Sequence, residues 1–221
     1  MKINYFKDSK RNLVSSAKRY FGPQYPYKRY NIAHKAIFIH VPKTAGTSIR
    51  LAMGAPGIGR LHIDYSHYLL ANHQRFASYF KFAVVREPLA RMHSCYQYIW
   101  NGGNQSQQDL LMSDRVQNHC NNFEDFVSFT YANQLHSLWP LLRPQASFIC
   151  DTNNELMIDM VLFQENLESG YLDLVANVPT LKNSLQVLNS SGVQDGPTCS
   201  PATRSLVCKL YGLDYELFYP I

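Results

Sequence analysis

The sequence lacks any apolar run that approaches the length of a membrane-spanning helix. Its longest apolar runs fall far short of the roughly 20 residues needed to cross a bilayer. The first eight residues, from Met1 to Asp8, lack the continuous apolar stretch of a signal peptide. Charged residues make up only 17% of the chain and apolar residues 46%, which excludes a disordered protein. We therefore expect a globular, cytoplasmic protein with no transmembrane segment.

Cysteine is also scarce, and its arrangement is not that of a structural metal site. The five cysteines are odd in number, and none belongs to a C-x-x-C pair. This usage is typical of reduced, buried thiols and excludes a zinc ribbon or a disulfide framework. Carboxylates are not clustered along the chain either, so we predict that the protein holds no metal.

Acidic residues are almost missing from the first 35 positions. Residues 1–35 contain nine lysines and arginines against one acid, Asp8, whereas the remainder contains twelve against fifteen. We divide the chain accordingly into a basic N-terminal arm, 1–35, and a single domain, 36–221. Two interpretations of the arm stay open: a solvated leader, or a contact with a polyanion. For the second, an acidic glycan ranks before anionic lipid, and nucleic acid ranks last, so we expect no nucleic-acid partner.

Apolar segments of strand length alternate with segments of helical periodicity along the domain. This alternation predicts a parallel sheet with helices on both faces. In such a sheet, ligands bind beyond the carboxyl ends of the strands. We predict strands at Ala36–Val41, Phe80–Val85, Ala146–Cys150 and Met160–Phe163, helices at 88–100, 123–131, 166–178 and 200–211, and an amphipathic helix at 9–21 in the arm.

The first predicted strand leads directly into a short polar loop. Pro42 ends the strand because it cannot donate to a ladder, and a helix follows the loop. Free backbone N–H groups, the positive end of the helix dipole and hydroxyl donors then converge on one point, which is the geometry that holds an anion. The loop consists of Lys43, Thr44, Ala45, Gly46, Thr47 and Ser48.

This loop differs from the phosphate-binding loop of nucleoside-triphosphate hydrolases. That loop requires Gly-x-x-x-x-Gly-Lys-Ser/Thr, with the lysine directly before the hydroxyl residue. Here Lys43 precedes Gly46, the single glycine of the loop. A nucleotide kinase or hydrolase therefore stays only as an alternative, which would also need a Mg²⁺-binding acid after a strand.

A second group of polar residues follows the second predicted strand. Arg86 ends that strand, and Ser94 lies about two turns into the next helix, eight residues after the arginine. We expect both side chains to reach one anion above the sheet edge. Arginine suits this task because its planar fork binds two phosphate oxygens at once and stays charged.

The loop and the proline before it closely resemble the 5′-phosphosulfate-binding loop of sulfotransferases that use 3′-phosphoadenosine 5′-phosphosulfate (PAPS), particularly the carbohydrate branch. The spacing of Arg86 and Ser94 is similar to that family's 3′-phosphate-binding pair, and a less specific likeness continues to about residue 220. The resemblance implies a P-loop-like, three-layer α/β fold with a central, mainly parallel sheet and helices on both faces. It also implies that residues 43–48 hold the 5′-phosphosulfate of PAPS, and that Arg86 and Ser94 hold its 3′-phosphate.

The same resemblance predicts sulfuryl transfer to a hydroxyl group of a carbohydrate or similar polar acceptor. In-line transfer needs a cation on the leaving oxygen and a base for the acceptor hydroxyl, but no metal. Lys43 is placed for the leaving oxygen. For the base we choose His67, because it precedes a segment that resembles one upstream of the family's second strand, and imidazole suits the role. His62 is the next candidate, whereas we expect His40, inside a buried strand, to be structural.

A non-catalytic protein that binds sulfated glycans is the other alternative, and the basic arm favours it. It gives no reason, however, for the spacing between Arg86 and Ser94. The Golgi lumen is the alternative location to the cytoplasm, and only if a membrane anchor of the protein is missing from this sequence.

The polyanion interpretation predicts the effect of removing the arm. Deleting 1–28 should raise the acceptor KM and flatten its salt dependence, because the charges that attract the acceptor are gone, while nucleotide affinity stays unchanged. Initial rates over a range of acceptor and salt concentrations, with calorimetry for the nucleotide, measure these quantities. Loss of folding on deletion would show instead that the segment is structural.

Overall fold

A computed structural model describes residues 24–55, 61–182, 184–185 and 197–220, and all structural statements below concern these residues. Their strands are β1 (Ala36–Ile39), β2 (Phe80–Val85) and β3 (Met160–Phe163). Their α-helices are α1 (Arg29–His34), α2 (Gly46–Ala52), α3 (Tyr65–Ala71), α4 (His73–Ser78), α5 (Pro88–Trp100), α6 (Gln107–Gln117), α7 (Phe123–Ala132), α8 (Leu135–Leu138), α9 (Ala146–Ile149), α10 (Leu167–Asn177), α11 (Pro201–Leu210) and α12 (Gly212–Phe218). Short 3₁₀ turns lie at Pro140–Leu142 and Gln164–Asn166.

The strands form one parallel sheet in the order β1-β2-β3. Phe38 of β1 pairs with Phe82 of β2, and Ala83 of β2 pairs with Val161 of β3. β1 is buried along its whole length, and β2 is buried from Lys81 onward, as expected for strands that are covered on both faces. The predicted α/β class with a parallel sheet is confirmed.

Successive side chains of each strand point to opposite faces of the sheet, and helices cover both of these faces. On one face, Ile37, Ile39 and Val85 pack against side chains from α3, α4, α9 and α12. On the other face, Phe38 and Val84 pack against α2 and α10. This is the three-layer arrangement that the sequence predicted.

A further core is formed by helices alone. It joins Cys95 of α5 to Val116 of α6, Phe126 of α7 and Leu210 of α11. Because α5 follows β2 after only two residues, it connects the edge of the sheet to this helical core.

Local sequence signals explain where several helices begin. Pro88 occupies the first turn of α5, where a missing N–H group leaves no bond unmade. Asn122 caps α7 by accepting a hydrogen bond from the N–H group of Asp125 at 2.9 Å. The helices predicted at 88–100, 123–131, 166–178 and 200–211 are confirmed, each end lying within one residue of its predicted position.

The strand predicted at Ala146–Cys150 is wrong. Residues 146–149 form the short helix α9, and Cys150 makes an isolated antiparallel bridge instead of joining the sheet. The buried carboxylate of Asp214 accepts hydrogen bonds from the N–H groups of Gln145 and Ala146, both at 2.8 Å. It thereby satisfies N–H groups that a helix leaves unpaired at its start. The described sheet accordingly has three strands instead of the predicted four.

The C-terminal end of the basic arm is part of the fold. Tyr27 is only 1% exposed in the core on one face of the sheet, and its hydroxyl donates a hydrogen bond to Tyr68 O at 2.9 Å. α1 follows and contacts β1. A truncation that tests the arm without opening this core therefore removes 1–23 instead of 1–28.

The amphipathic helix predicted at 9–21 falls outside the described residues. Of the helices that the structure does describe, none combines the length and the apolar character needed to span a membrane. Within the same ranges, no group of three or more His, Cys, Asp and Glu side chains is arranged to hold a metal ion.

Candidate active site

The strands end at one edge of the sheet, because all three run in the same direction. β1 continues towards the loop that starts at Lys43, β2 continues into Arg86, and β3 continues into the turn that contains Glu165. The two polar groups identified in the sequence therefore lie at the same edge. In open parallel sheets, this edge is where ligands bind.

The loop after β1 has an unusual backbone. Lys43 (φ 66°) and Ala45 (φ 63°) both adopt the left-handed conformation, which costs a residue with a side chain roughly 1–2 kcal/mol. Between them, the hydroxyl of the buried Thr44 donates to Val41 O at 2.9 Å and ties the turn to the strand. Left-handed residues in a turn bring backbone N–H groups together in an anion-binding nest. The strained backbone of Lys43 and Ala45 thus belongs to a loop whose shape suits an anion.

The last three loop residues also form the first turn of a helix. α2 begins at Gly46, whereas the sequence suggested a start at Ile49. The N–H group of Ser48 donates to Ala45 O at 3.1 Å, but those of Gly46 and Thr47 have no acceptor within the helix. The loop therefore presents backbone donors next to hydroxyl side chains.

Gly46 is needed because another side chain occupies the place of its missing Cβ. A Cβ built on Gly46 would lie 1.9 Å from His40 Nε2, far inside contact distance. His40 is 6% exposed, and its ring stacks on Phe38 with centroids 5.4 Å apart. The buried His40, directly after β1, is thus packed against the loop of residues 43–48.

His62 lies against the same histidine. The ring centroids of His62 and His40 are 4.4 Å apart, and His62 Nδ1 lies 3.2 Å from His40 O. If Nδ1–H donates to this carbonyl, the neutral ring carries its lone pair on Nε2. Of the two candidate bases, His62 is the one that contacts His40, the residue packed against Gly46 of the loop.

His67 belongs to a separate polar cluster on α3. Its Nδ1 lies 3.0 Å from Asp64 Oδ1, and Arg143 Nη2 lies 3.5 Å from Asp64 Oδ2. Burial raises the pKa of the Asp64 carboxyl, but hydrogen bonds from Ser66 and His67, with the charges of His67 and Arg143, outweigh it and hold that pKa below its usual value. Asp64 is therefore an ionised partner that orients the half-exposed His67 ring.

Lys43 and Arg86 both lie near α5. Lys43 Nζ lies 4.6 Å from the centre of the Tyr98 ring on α5. Burial raises the pKa of the Cys95 thiol, while the charges of Arg91, Lys43 and Arg86 act to lower it. Both cations of the candidate site therefore lie within electrostatic range of one thiol on α5.

Arg86 is fixed through its backbone, while its side chain stays available. The Gln145 side chain accepts from Arg86 N at 2.9 Å and donates to Arg86 O at 2.8 Å. Burial lowers the pKa of the guanidinium, and nearby Glu165 acts to raise it. No acceptor among the described residues bonds this guanidinium. Ser94 is half-buried in the second turn of α5.

Acidic and aromatic side chains hold the end of β2 in place. Glu87 caps α5 by accepting from the N–H groups of Leu89 (3.1 Å) and Ala90 (2.6 Å), and it accepts from the Tyr215 hydroxyl at 2.7 Å. Glu165 accepts from Glu87 N at 2.8 Å and from the Tyr219 hydroxyl at 2.9 Å. The C-terminal helix α12 is thereby tied to the strand end that carries Arg86.

Sequence analysis missed the supporting roles of Gln145, Glu165 and Tyr98. Gln145 and Glu165 stood in segments of weak family likeness, but a contact with the β2 end is not encoded in their local pattern. Tyr98 was read only as part of a helix. Of the two predicted bases, His67 is separate from the loop: no hydrogen bond or ring contact among the described residues joins His67 to residues 43–48.

Comparison with known proteins gives one match. The family model described as "Sulfotransferase family" matches residues 59–220, well over half of the chain. The matched region contains Arg86, Ser94 and both candidate bases, and it begins after the loop at 43–48. No curated protein matches, and no solved structure matches.

The contact between Gly46 and His40 predicts how a single methyl group will act. Gly46→Ala should lower the free energy of unfolding by about 1–3 kcal/mol, because the ring or the loop has to move. His40→Ala makes room, so the double variant should lose less than the sum of the two single losses, as measured by chemical denaturation. Gly212→Ala, which places its Cβ in open space, is the control. Strictly additive losses would contradict the contact.

Proposed function

The chain belongs to the sulfotransferase family, and we propose that it transfers the sulfuryl group of PAPS to a hydroxyl group of a carbohydrate or similar polar acceptor. One observation carries the proposal most directly. The strained loop of residues 43–48 and Arg86, whose guanidinium has no acceptor among the described residues, follow adjacent parallel strands. The charges of Lys43 and Arg86 both act on Cys95 of α5. A nucleotide with phosphates at two positions of one ribose requires two such anion sites on one surface.

The loop of residues 43–48 is proposed to hold the 5′-phosphosulfate. Backbone N–H groups of Gly46 and Thr47, with the hydroxyls of Thr47 and Ser48, would donate to the phosphate oxygens. Lys43 adds a full positive charge at the entrance of the loop. The buried Thr44 and the half-buried Ala45 shape the backbone of the loop instead of donating through their side chains.

Arg86 and Ser94 are proposed to hold the 3′-phosphate. A half-buried arginine whose guanidinium has no acceptor in the described part of the chain is suited to a phosphate, because the energetic cost of its burial is then offset by two parallel charged hydrogen bonds. The Gln145 clamp keeps the backbone of Arg86 in place while its side chain adapts to the ligand.

In the proposed reaction, the acceptor oxygen forms a bond to sulfur as the bond between sulfur and the 5′-phosphate oxygen breaks. The base takes the proton of the acceptor hydroxyl, and negative charge develops on the phosphate oxygen that leaves. Lys43 is assigned to that oxygen, where a cation stabilises the transition state more than the bound substrate. No metal is assigned to any step.

His67 is our proposed base, and His62 is the alternative. In favour of His67, the ionised Asp64 fixes its Nδ1–H and leaves Nε2 to accept a proton, and its side chain is 48% exposed. In favour of His62, its ring lies against His40, directly beneath the loop.

A polar, hydroxyl-bearing acceptor is proposed from composition. Fifteen tyrosines and twelve phenylalanines provide surfaces that stack on sugar rings, and the basic arm suits an acidic glycan. This acceptor class is less specific than the nucleotide assignment.

The nucleotide assignment predicts the effect of removing one guanidinium. Arg86→Ala should weaken binding of adenosine 3′,5′-bisphosphate by about 2–3 kcal/mol, because a charged hydrogen-bonded pair is lost. Calorimetry with a metal chelator present measures this affinity. Arg204→Ala, at an exposed position on α11, is the matched control. An unchanged affinity in Arg86→Ala would remove Arg86 from the site.

The catalytic assignments predict different kinetic defects. Lys43→Ala should lower kcat by roughly 10²–10³, with a smaller effect on PAPS affinity, because the lysine acts mainly as charge develops. His67→Ala should lower kcat by roughly 10²–10⁴ and abolish the acidic limb of the pH–rate profile, while nucleotide affinity stays intact.

Steady-state rates with an acceptor selected from a glycan panel test both assignments. A His67→Ala enzyme with full rate and an unaltered profile would transfer the role of base to His62, which the same measurements on His62→Ala would decide. Two unaltered profiles would show that histidine is not the base.

A further inference from the structure

The Tyr98 ring lies beneath the ammonium group that the proposed function assigns to the leaving oxygen. Lys43 Nζ is 4.6 Å from the ring centre, a distance at which a cation is attracted to the face of an aromatic ring. We propose that Tyr98 is a positioning residue, which holds the Lys43 ammonium beside the loop without neutralising it. The inference rests on the proposed function, because positioning the Lys43 ammonium matters only if that ammonium binds the 5′-phosphate group of a nucleotide.

An aromatic face suits this purpose better than a carboxylate. The lysine side chain has four flexible methylene groups, and ordering them on binding costs rotamer entropy. A carboxylate partner would order the chain but would also compete with the phosphate for its charge. A ring orders the side chain without adding a negative charge that competes with the phosphate.

Tyr98 is itself fixed from its outer edge. Its hydroxyl donates to Asp109 Oδ2 at 3.3 Å, and the same oxygen accepts from Asn104 N at 3.0 Å. A Cβ on Gly103 would lie 2.8 Å from the Tyr98 ring, so the backbone of the turn after α5 packs directly against it. The turn therefore holds the ring in one place.

The position of Tyr98 on α5 also sets its relation to the other phosphate group. Ser94 and Tyr98 are four residues apart, so they lie on the same face of α5, one turn from each other. Ser94 is assigned to the 3′-phosphate, and Tyr98 holds the lysine assigned to the 5′-phosphosulfate. The charges of Lys43 and Arg86 both reach Cys95, which lies between these two positions in sequence. A single helix thereby spaces the two anion-binding groups.

Graded fluorination of the ring tests the proposal without changing its shape. Tyr98→Phe keeps the ring face and is the starting point. Fluorinated phenylalanines with one, two and three fluorine atoms are then placed at 98, which progressively removes the negative charge of the face. We expect the affinity for adenosine 3′,5′-bisphosphate to fall stepwise along the series, by about three- to tenfold in total. The affinity for adenosine 3′-monophosphate, which lacks the group that Lys43 binds, should stay constant.

The same fluorination series in the Lys43→Ala variant supplies the decisive comparison. In Lys43→Ala, fluorination at 98 should no longer change the affinity for the bisphosphate, because the cation is missing. Tyr131→Leu, at an exposed tyrosine of α7, is the surface control and should bind as the wild type does. An affinity that ignores fluorination would overturn the proposal, and so would one that falls equally in both backgrounds. An affinity that rises with fluorination would also overturn it, because the ring would then compete with the nucleotide for Lys43.

Nuclear magnetic resonance separates a failure of this inference from a failure of the proposed function. In the nucleotide-free protein, the ε-methylene protons of Lys43 should be shifted upfield by the Tyr98 ring and should return to ordinary values in Tyr98→Leu. A normal shift in the wild type would refute the contact itself. A shifted signal in a protein that does not bind the bisphosphate would instead contradict the proposed function.

Discussion

Parallel pairing of β1 with β2 is the constraint on which the candidate site depends. The register pairs Phe38 with Phe82, so the segments that follow β1 and β2 leave the sheet in the same direction and at nearly the same level. A lysine-containing loop and an arginine are thereby brought to one edge, although more than forty residues separate them along the sequence. Antiparallel pairing would have sent them to opposite edges.

The edge is held by contacts from distant parts of the chain. Gln145 grips the backbone of Arg86, and Asp214 holds the N–H groups at the start of α9. Tyr215 and Tyr219 bind Glu87 and Glu165 beside the same strand end. Because these tyrosine hydroxyls donate to carboxylates, burial and those carboxylates raise their pKa values well above the usual range. The last helix of the chain is therefore part of the support of the site.

Elements with strong local signals could be predicted from the sequence. β1 and β2 are continuous apolar runs, and Pro88 and Asn122 mark the starts of α5 and α7. Residues 146–150 could not be assigned correctly, because a short apolar run suits a buried helix as well as a strand. The decision there depends on Asp214, which lies almost seventy residues away. The polar stretch from 105 to 120 gave no clear prediction and contains α6.

In the candidate site, too, some features have a local sequence signal and others depend on contacts across the fold. The spacing of residues within the loop, and between Arg86 and Ser94, is local information and was sufficient to identify them as candidates. The packing of His40 on Gly46 and of Lys43 on Tyr98 depends on contacts across the fold. A sequence pattern does not contain such contacts, and it also does not show that His62 lies against His40 or that His67 lies beside Asp64.

The most direct test of the central claim is a crystal structure of the protein with adenosine 3′,5′-bisphosphate. We expect one nucleotide across the carboxyl edge of the sheet. Its 5′-phosphate should lie within hydrogen-bond distance of the N–H groups of Gly46 and Thr47 and of Lys43 Nζ, and its 3′-phosphate should contact Arg86 and Ser94. A nucleotide bound elsewhere, or bound with its two phosphates exchanged between these groups, would contradict the account.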